Sequence, residues 1–165
     1  MKVRGIVAAA AALTLMGALG ACSLIGGNSS PTRNPTAPVS SSQMVDAFSL
    51  RVGDCIVSND LGDTFSSVPT VPCTQAHDAE ITYIFDLTGI PLFDQTSIDE
   101  QASPKCEQKA IDYVGAGYAD VATGLDWNYF GPTADSWKNG DREIDCLVYT
   151  TSGKNDLTSS VKGKG

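Results

Sequence analysis

Four cysteines, Cys55, Cys73, Cys106 and Cys146, constrain the fold of this chain more than any other feature. In an oxidising compartment cysteines form disulfides by default, and four of them allow three pairings. We expect Cys55 to pair with Cys73 and Cys106 with Cys146, because the first pair brackets a turn-rich segment between two short apolar runs. The sequence therefore predicts a domain held by two bridges, of which the first closes a hairpin.

The N-terminal segment, residues 1–21, indicates that the chain is exported to such a compartment. Lys2 and Arg4 precede an uncharged apolar run that ends in small residues. This is the pattern of a secretory signal peptide, and the run is too short for a membrane-spanning helix. The Leu-Gly-Ala-Cys sequence at 19–22 resembles the cleavage box of bacterial lipoproteins, in which the thiol of the cysteine, here Cys22, is acylated and becomes the new N-terminus.

Cys22 is the fifth cysteine of the chain. A secreted chain with five cysteines would leave one thiol unpaired, and acylation removes that liability. The alternative is an ordinary secreted protein cut near Ala21, in which Cys22 is incidental. Two acyl chains hold a small domain on a bilayer stably. We therefore expect a domain that is anchored through Cys22 on the extracytoplasmic face of the cell membrane.

Composition divides the rest of the chain into three parts. Residues 22–45 are rich in Ser, Pro, Thr, Gly and Asn and have no apolar periodicity, which predicts a flexible tether. Residues 46–160 are of single-domain size and have no internal repeat. Residues 161–165 form a short tail.

The exported chain is acidic. Removal of residues 1–21 leaves nine basic residues against nineteen acidic ones, a formal net charge of −10. Such a balance argues against binding to nucleic acid or to an anionic lipid surface, because both need clustered Lys and Arg. The acidity favours a soluble, monomeric domain and leaves a basic partner open.

Two segments, 79–87 and 142–150, alternate apolar and polar residues with the period of a strand that has one buried face. In the first, Ile81, Tyr83 and Phe85 share the apolar face. Shorter strands are expected around 47–57 and 125–132.

A helix is predicted to begin with Ser103 as its cap and Pro104 as its first residue, and to end at Gly115 or Gly117. Ser97 is followed three residues later by an acid, which is a capping-box pattern for an earlier start that Pro104 would interrupt. Cys106 lies on the inner stripe, so the second bridge would join the helix to the strand at 142–150. The predicted fold class is α+β, a small antiparallel sheet with one main helix packed on it and two disulfides.

His77, the only histidine, lies with Asp78 just before the first strong strand. One hypothesis makes His77 a general base tuned by Asp78 or Glu80, although no serine is flanked by the glycines of a nucleophile elbow. We favour a framework role, in which both side chains bond the backbone of their own turn and Asp78 forms an Asx turn. One histidine and no C-x-x-C pair argue against a metal site, and we expect no cofactor.

The segment 136–143 contains Trp137, Asp141 and Arg142 around a glycine-centred turn. Exposed Trp and Arg are typical of protein interfaces, so a partner could bind here. We favour the alternative that Trp137 covers the core while Arg142 pairs with the carboxylate of Asp54, Asp78 or Asp141.

The order and spacing of these motifs resemble the septum-formation domain family of Gram-positive exported and membrane-anchored proteins. The residues that carry the resemblance are Gly53-Asp54-Cys55, Cys73, His77-Asp78, Cys106, Pro132, Trp137, Gly140-Asp141-Arg142 and Cys146. The resemblance implies a small extracytoplasmic domain with disulfides, associated with the septum or cell envelope, and it implies no catalytic residue.

These observations predict a lipid-anchored, non-catalytic accessory or binding domain of the bacterial cell envelope. Its expected partners are the membrane, through the N-terminal lipid, and an unidentified envelope or septal protein. The alternative is an envelope hydrolase or modifying enzyme that uses His77 as its general base.

Overall fold

The computed structural model describes most of the chain from residue 39 onward, namely residues 39–59, 61–115, 118 and 124–165. Cys22, the signal segment and most of the tether lie outside the described residues. Within the described part, no helix has both the length and the apolar composition that crossing a membrane requires.

Six antiparallel strands form one sheet in the order β1-β3-β2-β4-β6-β5. The strands are β1 (Gln43–Asp46), β2 (Cys55–Ile56), β3 (Ser67–Val71), β4 (Ala79–Asp86), β5 (Leu125–Phe130) and β6 (Glu143–Thr150). The two strands with the strongest alternation in the sequence are β4 and β6, which pair with each other inside the sheet. With the main helix packed on one face, the predicted α+β class is confirmed.

The first half of β4 is buried on both faces, which the alternation did not predict. A β-bulge interrupts the pairing with β6 between Ile81 and Tyr83. Because a bulge inserts one extra residue, it moves all later side chains to the other face. Ile81 therefore packs with Leu147 in one cluster, whereas Tyr83 and Phe85 pack in another. The prediction that these three residues share one face is wrong.

The main helix, α1 (Gln95–Val114), begins earlier than the Ser103 and Pro104 pattern predicted. Its cap is Asp94, whose carboxylate accepts a hydrogen bond of 3.1 Å from the Ser97 N–H. Pro104 lies inside the helix and removes one backbone donor. The helix continues because a buried apolar stripe runs along it on both sides of the proline, formed by Ile98, Ala102, Cys106, Ala110 and Val114.

Gly115 ends α1 with a φ of 115°, as one of the two predicted terminators. A second, short helix, α2 (Ala134–Lys138), precedes β6. The segment 161–165, assigned to a tail from the sequence, packs on the domain: Val161 is buried, and the Gly165 N–H lies 2.7 Å from the Val114 carbonyl oxygen.

Both predicted disulfides are confirmed. Cys55 in β2 is bonded to Cys73 just after β3, which closes the hairpin, and Cys106 in α1 is bonded to Cys146 in β6. The second bridge fixes the helix to one face of the sheet. The opposite face carries its own apolar cluster and, near the ends of β5 and β6, an open cleft.

Candidate functional site

His77 is fully buried at the joint between the first disulfide and β4. Its backbone exchanges two hydrogen bonds of 3.0 Å with Leu157. Its Nδ1 lies 2.7 Å from the Gln75 carbonyl oxygen, and since a carbonyl accepts, Nδ1 is the protonated nitrogen. The other nitrogen, Nε2, is buried and has no partner among the described residues. A substrate in solvent therefore has no direct approach to the imidazole, and the contacts fit a framework role.

Asp78 also binds backbone, but not that of its own turn. Its carboxylate accepts from the Ser58 N–H at 2.6 Å and from the Ser58 hydroxyl at 2.5 Å. The predicted Asx turn is therefore wrong. The carboxylate instead ties the loop after β2 to the start of β4, across twenty residues of sequence.

Cys55, His77 and Glu80 place one ligand-type atom each within 4.8 Å of one another, and all three residues are buried. The Cys55 sulfur is in a disulfide and offers no thiolate. The Glu80 carboxylate already accepts three hydrogen bonds, from Tyr113, Ser160 and Val161. With the disulfide formed, these residues do not fit a metal site.

Trp137 is 5 % exposed and packs edge to face against Phe93 in the core. The Arg142 guanidinium lies 3.5 Å above the Trp137 ring. Its Nη1 donates to the Trp137 and Asp141 carbonyl oxygens at 3.0 and 2.5 Å. Trp137 thus has the core position that we favoured. The predicted carboxylate pairing of Arg142 is wrong, because two carbonyls and an aromatic ring occupy the guanidinium instead.

The cleft on the sheet face opposite α1 has a volume of about 540 Å³. None of its lining residues is basic, and five carry a carboxylate: Asp63, Asp135, Asp141, Glu143 and Asp145. Its apolar wall includes Phe65 and Phe130, whose rings meet edge to face at 4.7 Å. We call this feature the acidic cleft.

Asp145 is the most buried carboxylate of the acidic cleft, with 7 % of its surface exposed. Its Oδ1 has no hydrogen-bond partner among the described residues. Burial, followed by the charges of Glu143 and Asp141, raises the pKa of this carboxyl from its ordinary 3.8 to about 7. The pKa of Glu143 is also raised, first by burial and then by Asp86 and Asp141. Buried carboxyls with a strongly raised pKa are common at functional sites.

The alternation of β6 accounts for this position. Ile144, Cys146 and Val148 face α1, so Asp145 faces the opposite side. There it lies in register with Ile84 of β4 and Phe130 of β5. The predictions from sequence did not include Asp145, although an acid in the middle of a central apolar strand was a usable signal.

A second cleft, of about 620 Å³, adjoins the first. Four residues line both clefts: Phe48, Ser136, Asp141 and Glu143. Phe48 is 62 % exposed. The two clefts together form an acidic groove with an exposed aromatic ring between them. Asp141 and Arg142, singled out in the sequence, line the second cleft.

A family model described as "Septum formation" matches residues 21–163. The match includes both disulfides, His77 and every residue of the acidic groove. No curated protein and no solved structure matches the chain.

Proposed function

This chain belongs to the septum-formation family, and from that premise we propose that it is a lipid-anchored accessory domain that acts in cell division by binding a partner. The domain stands on the extracytoplasmic face of the membrane, held by an acylated Cys22 and raised from the lipid by the segment that follows. It works without catalysis.

The family match is the observation that carries the role in division. The extracytoplasmic location is supported by the two disulfides, because such bonds persist outside the reducing cytosol. The lipid anchor is supported by the sequence at 19–22 and by Cys22, which is the one cysteine outside these two bridges.

A binding role is supported by the contrast between His77 and the acidic groove. The imidazole that a hydrolase would need is sealed inside the framework. The groove is an open, formed surface lined by Asp145, whose Oδ1 has no hydrogen-bond partner among the described residues, and this suits recognition of a ligand.

Replacing Cys22 by Ser is expected to move the protein from the membrane fraction to the extracellular soluble fraction, because the substitution removes the thiol that is acylated. Mass spectrometry of the mature N-terminus should show the lipid mass on the parent protein and none on the variant. A Ser23→Ala variant, which leaves the thiol in place, serves as the control. Continued membrane association of the Cys22→Ser protein would contradict the anchor.

Replacing His77 by Ala is expected to lower the free energy of unfolding by about 2–4 kcal/mol, because the change opens a cavity and removes the bond to the Gln75 carbonyl. Urea unfolding of the purified variant measures this loss. In cells that lack the native gene, the variant should restore normal septa to the extent that it is folded. A variant that is as stable as the parent but fails to restore division would instead indicate a reactive histidine.

The role in division has its own test. Cells depleted of this protein should form misplaced or delayed septa, which microscopy with a membrane dye would show, and expression of the native chain should restore them. Normal septa after complete depletion would contradict the proposed function.

A further inference from the structure

We propose that the acidic groove binds a lysine or arginine side chain of an extended segment in the partner protein, with the cationic group against Asp145 and the alkyl stem against the phenylalanine rings. This inference rests on the proposed binding function and names the chemistry of what is bound. It concerns a surface that the family match does not assign.

None of the residues that line the cleft around Asp145 is basic. Asp145 is more than nine-tenths buried, and its Oδ1 lacks a partner among the described residues. The basic residues nearby are engaged elsewhere: Lys138 bonds Asp135 at 2.8 Å, and the Arg142 guanidinium is stacked on Trp137. A buried carboxylate oxygen without a donor is costly, and a cationic donor from outside compensates it best.

A small metal ion fits this surface less well. Calcium needs six or more oxygen ligands at about 2.3–2.6 Å, so its carboxylates must converge on one point. Among the described residues, the group of three metal-binding side chains with ligand atoms within 4.8 Å of one another is Cys55, His77 and Glu80, away from the groove. Among the described residues, no three carboxylates of the groove form such a group, which suits a larger organic cation better than a small metal ion.

The apolar part of the groove indicates what the cation is attached to. Phe65 and Phe130 form one wall, and the exposed ring of Phe48 stands where the two clefts meet. Lysine and arginine pack their methylene stems on apolar surface while their charge reaches a polar group, and cations also bind the faces of aromatic rings. The two adjoining clefts leave room for residues on either side of the basic one.

Binding should strengthen as pH rises, because a protonated Asp145 has no charge to offer a cation. The charged groups that line the cleft with Asp145 are Glu143 of β6, Asp141 before β6, Asp135 of α2 and Asp63 of the loop between β2 and β3. The residues in register with it on β4 and β5 are uncharged. Every charged residue that lines the same cleft is an acid. Asp135 is paired with Lys138, whereas Asp63, Asp141 and Glu143 add to the attraction for a cation. Arg142 lines the second cleft, where its guanidinium is stacked on Trp137.

The test uses the purified full chain and two blocked pentapeptides, Gly-Lys-Gly-Lys-Gly and Gly-Gln-Gly-Gln-Gly, in titration calorimetry at low ionic strength. At about pH 8 the lysine peptide should bind at least about tenfold more tightly than the glutamine peptide. Asp145→Asn should weaken the lysine peptide by about tenfold or more, and lowering the pH to about 5 should weaken it in the parent protein.

Two further variants distinguish binding in the groove from nonspecific attraction of the peptide to the acidic domain. Glu107→Gln removes the same charge from an exposed position on α1 and should change the affinity by less than about twofold, because exposed charges are screened. Phe48→Ala removes an exposed ring without disturbing the core and should weaken binding several-fold.

Equal affinity for the two peptides, or equal losses in Asp145→Asn and Glu107→Gln, would overturn the proposal. A third outcome would also overturn it: calcium chloride binds the parent protein but not Asp145→Asn, and the lysine peptide does not bind the parent. This result would identify a metal site. Failure of these titrations beside a clear division defect on depletion would refute the ligand chemistry and leave the proposed function intact. Peptide binding without any division defect on depletion would support the ligand chemistry and refute the proposed role in division.

Discussion

Replacing Glu80 by Ala is expected to destabilise the protein by about 3–5 kcal/mol, because three hydrogen-bond donors lose their acceptor and a buried cavity opens. The carboxylate is completely buried. Its Oε1 accepts from the Tyr113 hydroxyl at 2.5 Å and the Ser160 hydroxyl at 2.7 Å, and its Oε2 accepts from the Val161 N–H at 2.7 Å. Truncation leaves three donors without an acceptor and opens a cavity between them.

The hydrogen bonds of Glu80 join three parts of the chain, so its replacement should weaken the packing of all three. Tyr113 belongs to α1 and Glu80 to β4, while Ser160 and Val161 belong to the C-terminal segment. One carboxylate therefore fastens three separate parts of the chain. Burial, followed by the hydrogen bond to Glu80, raises the pKa of the Tyr113 phenol, so the phenol stays protonated and remains a donor.

Urea unfolding at neutral pH measures the effect. Glu80→Gln is the conservative variant, and we expect an intermediate loss because its amide NH₂ must face at least one of the three donors. The control Glu107→Ala removes an exposed acid of α1 and should stay within about 0.5 kcal/mol of the parent. A Glu80→Ala protein within about 1 kcal/mol of the parent would show that the network contributes little.

The sequence predicted the parts of the fold that depend on local patterning and on covalent chemistry. Alternation identified β4 and β6, and the spacing of the cysteines identified both bridges. The same alternation placed Glu80 on the polar face of β4, and a side chain on that face is exposed to solvent unless another part of the chain covers it. The cover comes from Tyr113 and from residues at the far end of the chain, and such long-range contacts leave no periodic signal in β4 itself.

Two local rules failed for similar reasons. Pro104 normally marks the first turn of a helix, but the buried stripe of α1 outweighs the one hydrogen bond that it removes. Strict alternation in β4 failed at the bulge, where pairing with β6 and packing on both faces decide the conformation. In each case tertiary contacts overrode a preference that is read from neighbouring residues.

The candidate site was harder to predict because its parts are far apart in sequence. His77 attracted attention as the only histidine, yet the structure seals it in the framework. The acidic groove draws on Phe48, Asp63 and the segment around Asp145, which no local motif joins. What the sequence did offer was an acid inside an apolar strand, and its meaning depended on knowing that no donor among the described residues reaches its Oδ1.

Replacing Asp145 by Asn is expected to stabilise the protein at about pH 8 by about 2–4 kcal/mol, the opposite sign from the change at Glu80. Both carboxylates are buried, but Glu80 has three donors and Asp145 Oδ1 has none among the described residues. Burial, then Glu143 and Asp141, raises the pKa of Asp145 to about 7. The charged form is therefore disfavoured in the folded protein, and a neutral amide avoids that cost.

The pH dependence of the free energy of unfolding follows from the proton that Asp145 holds in the folded protein. Between 3.8 and about 7 the folded protein holds a proton on Asp145 that the unfolded chain has lost. The unfolded state binds fewer protons over this range, so the stability of the parent falls as pH rises through it and levels off above about 7. Asp145→Asn lacks this decline, and the difference between the two proteins should be small at about pH 4 and largest at about pH 8.

Urea unfolding of both proteins across this pH range is the measurement, with Asp135→Asn as the matched control. Asp135 lines the same cleft, but it is exposed and paired with Lys138, and that pairing lowers its pKa. Asp135→Asn should therefore keep the shape of the parent's plot of unfolding free energy against pH. A profile of Asp145→Asn that runs parallel to the parent would contradict the raised pKa. A stabilised variant that no longer binds the lysine peptide would show that Asp145 is kept at a cost in stability because a cation outside the domain needs its charge.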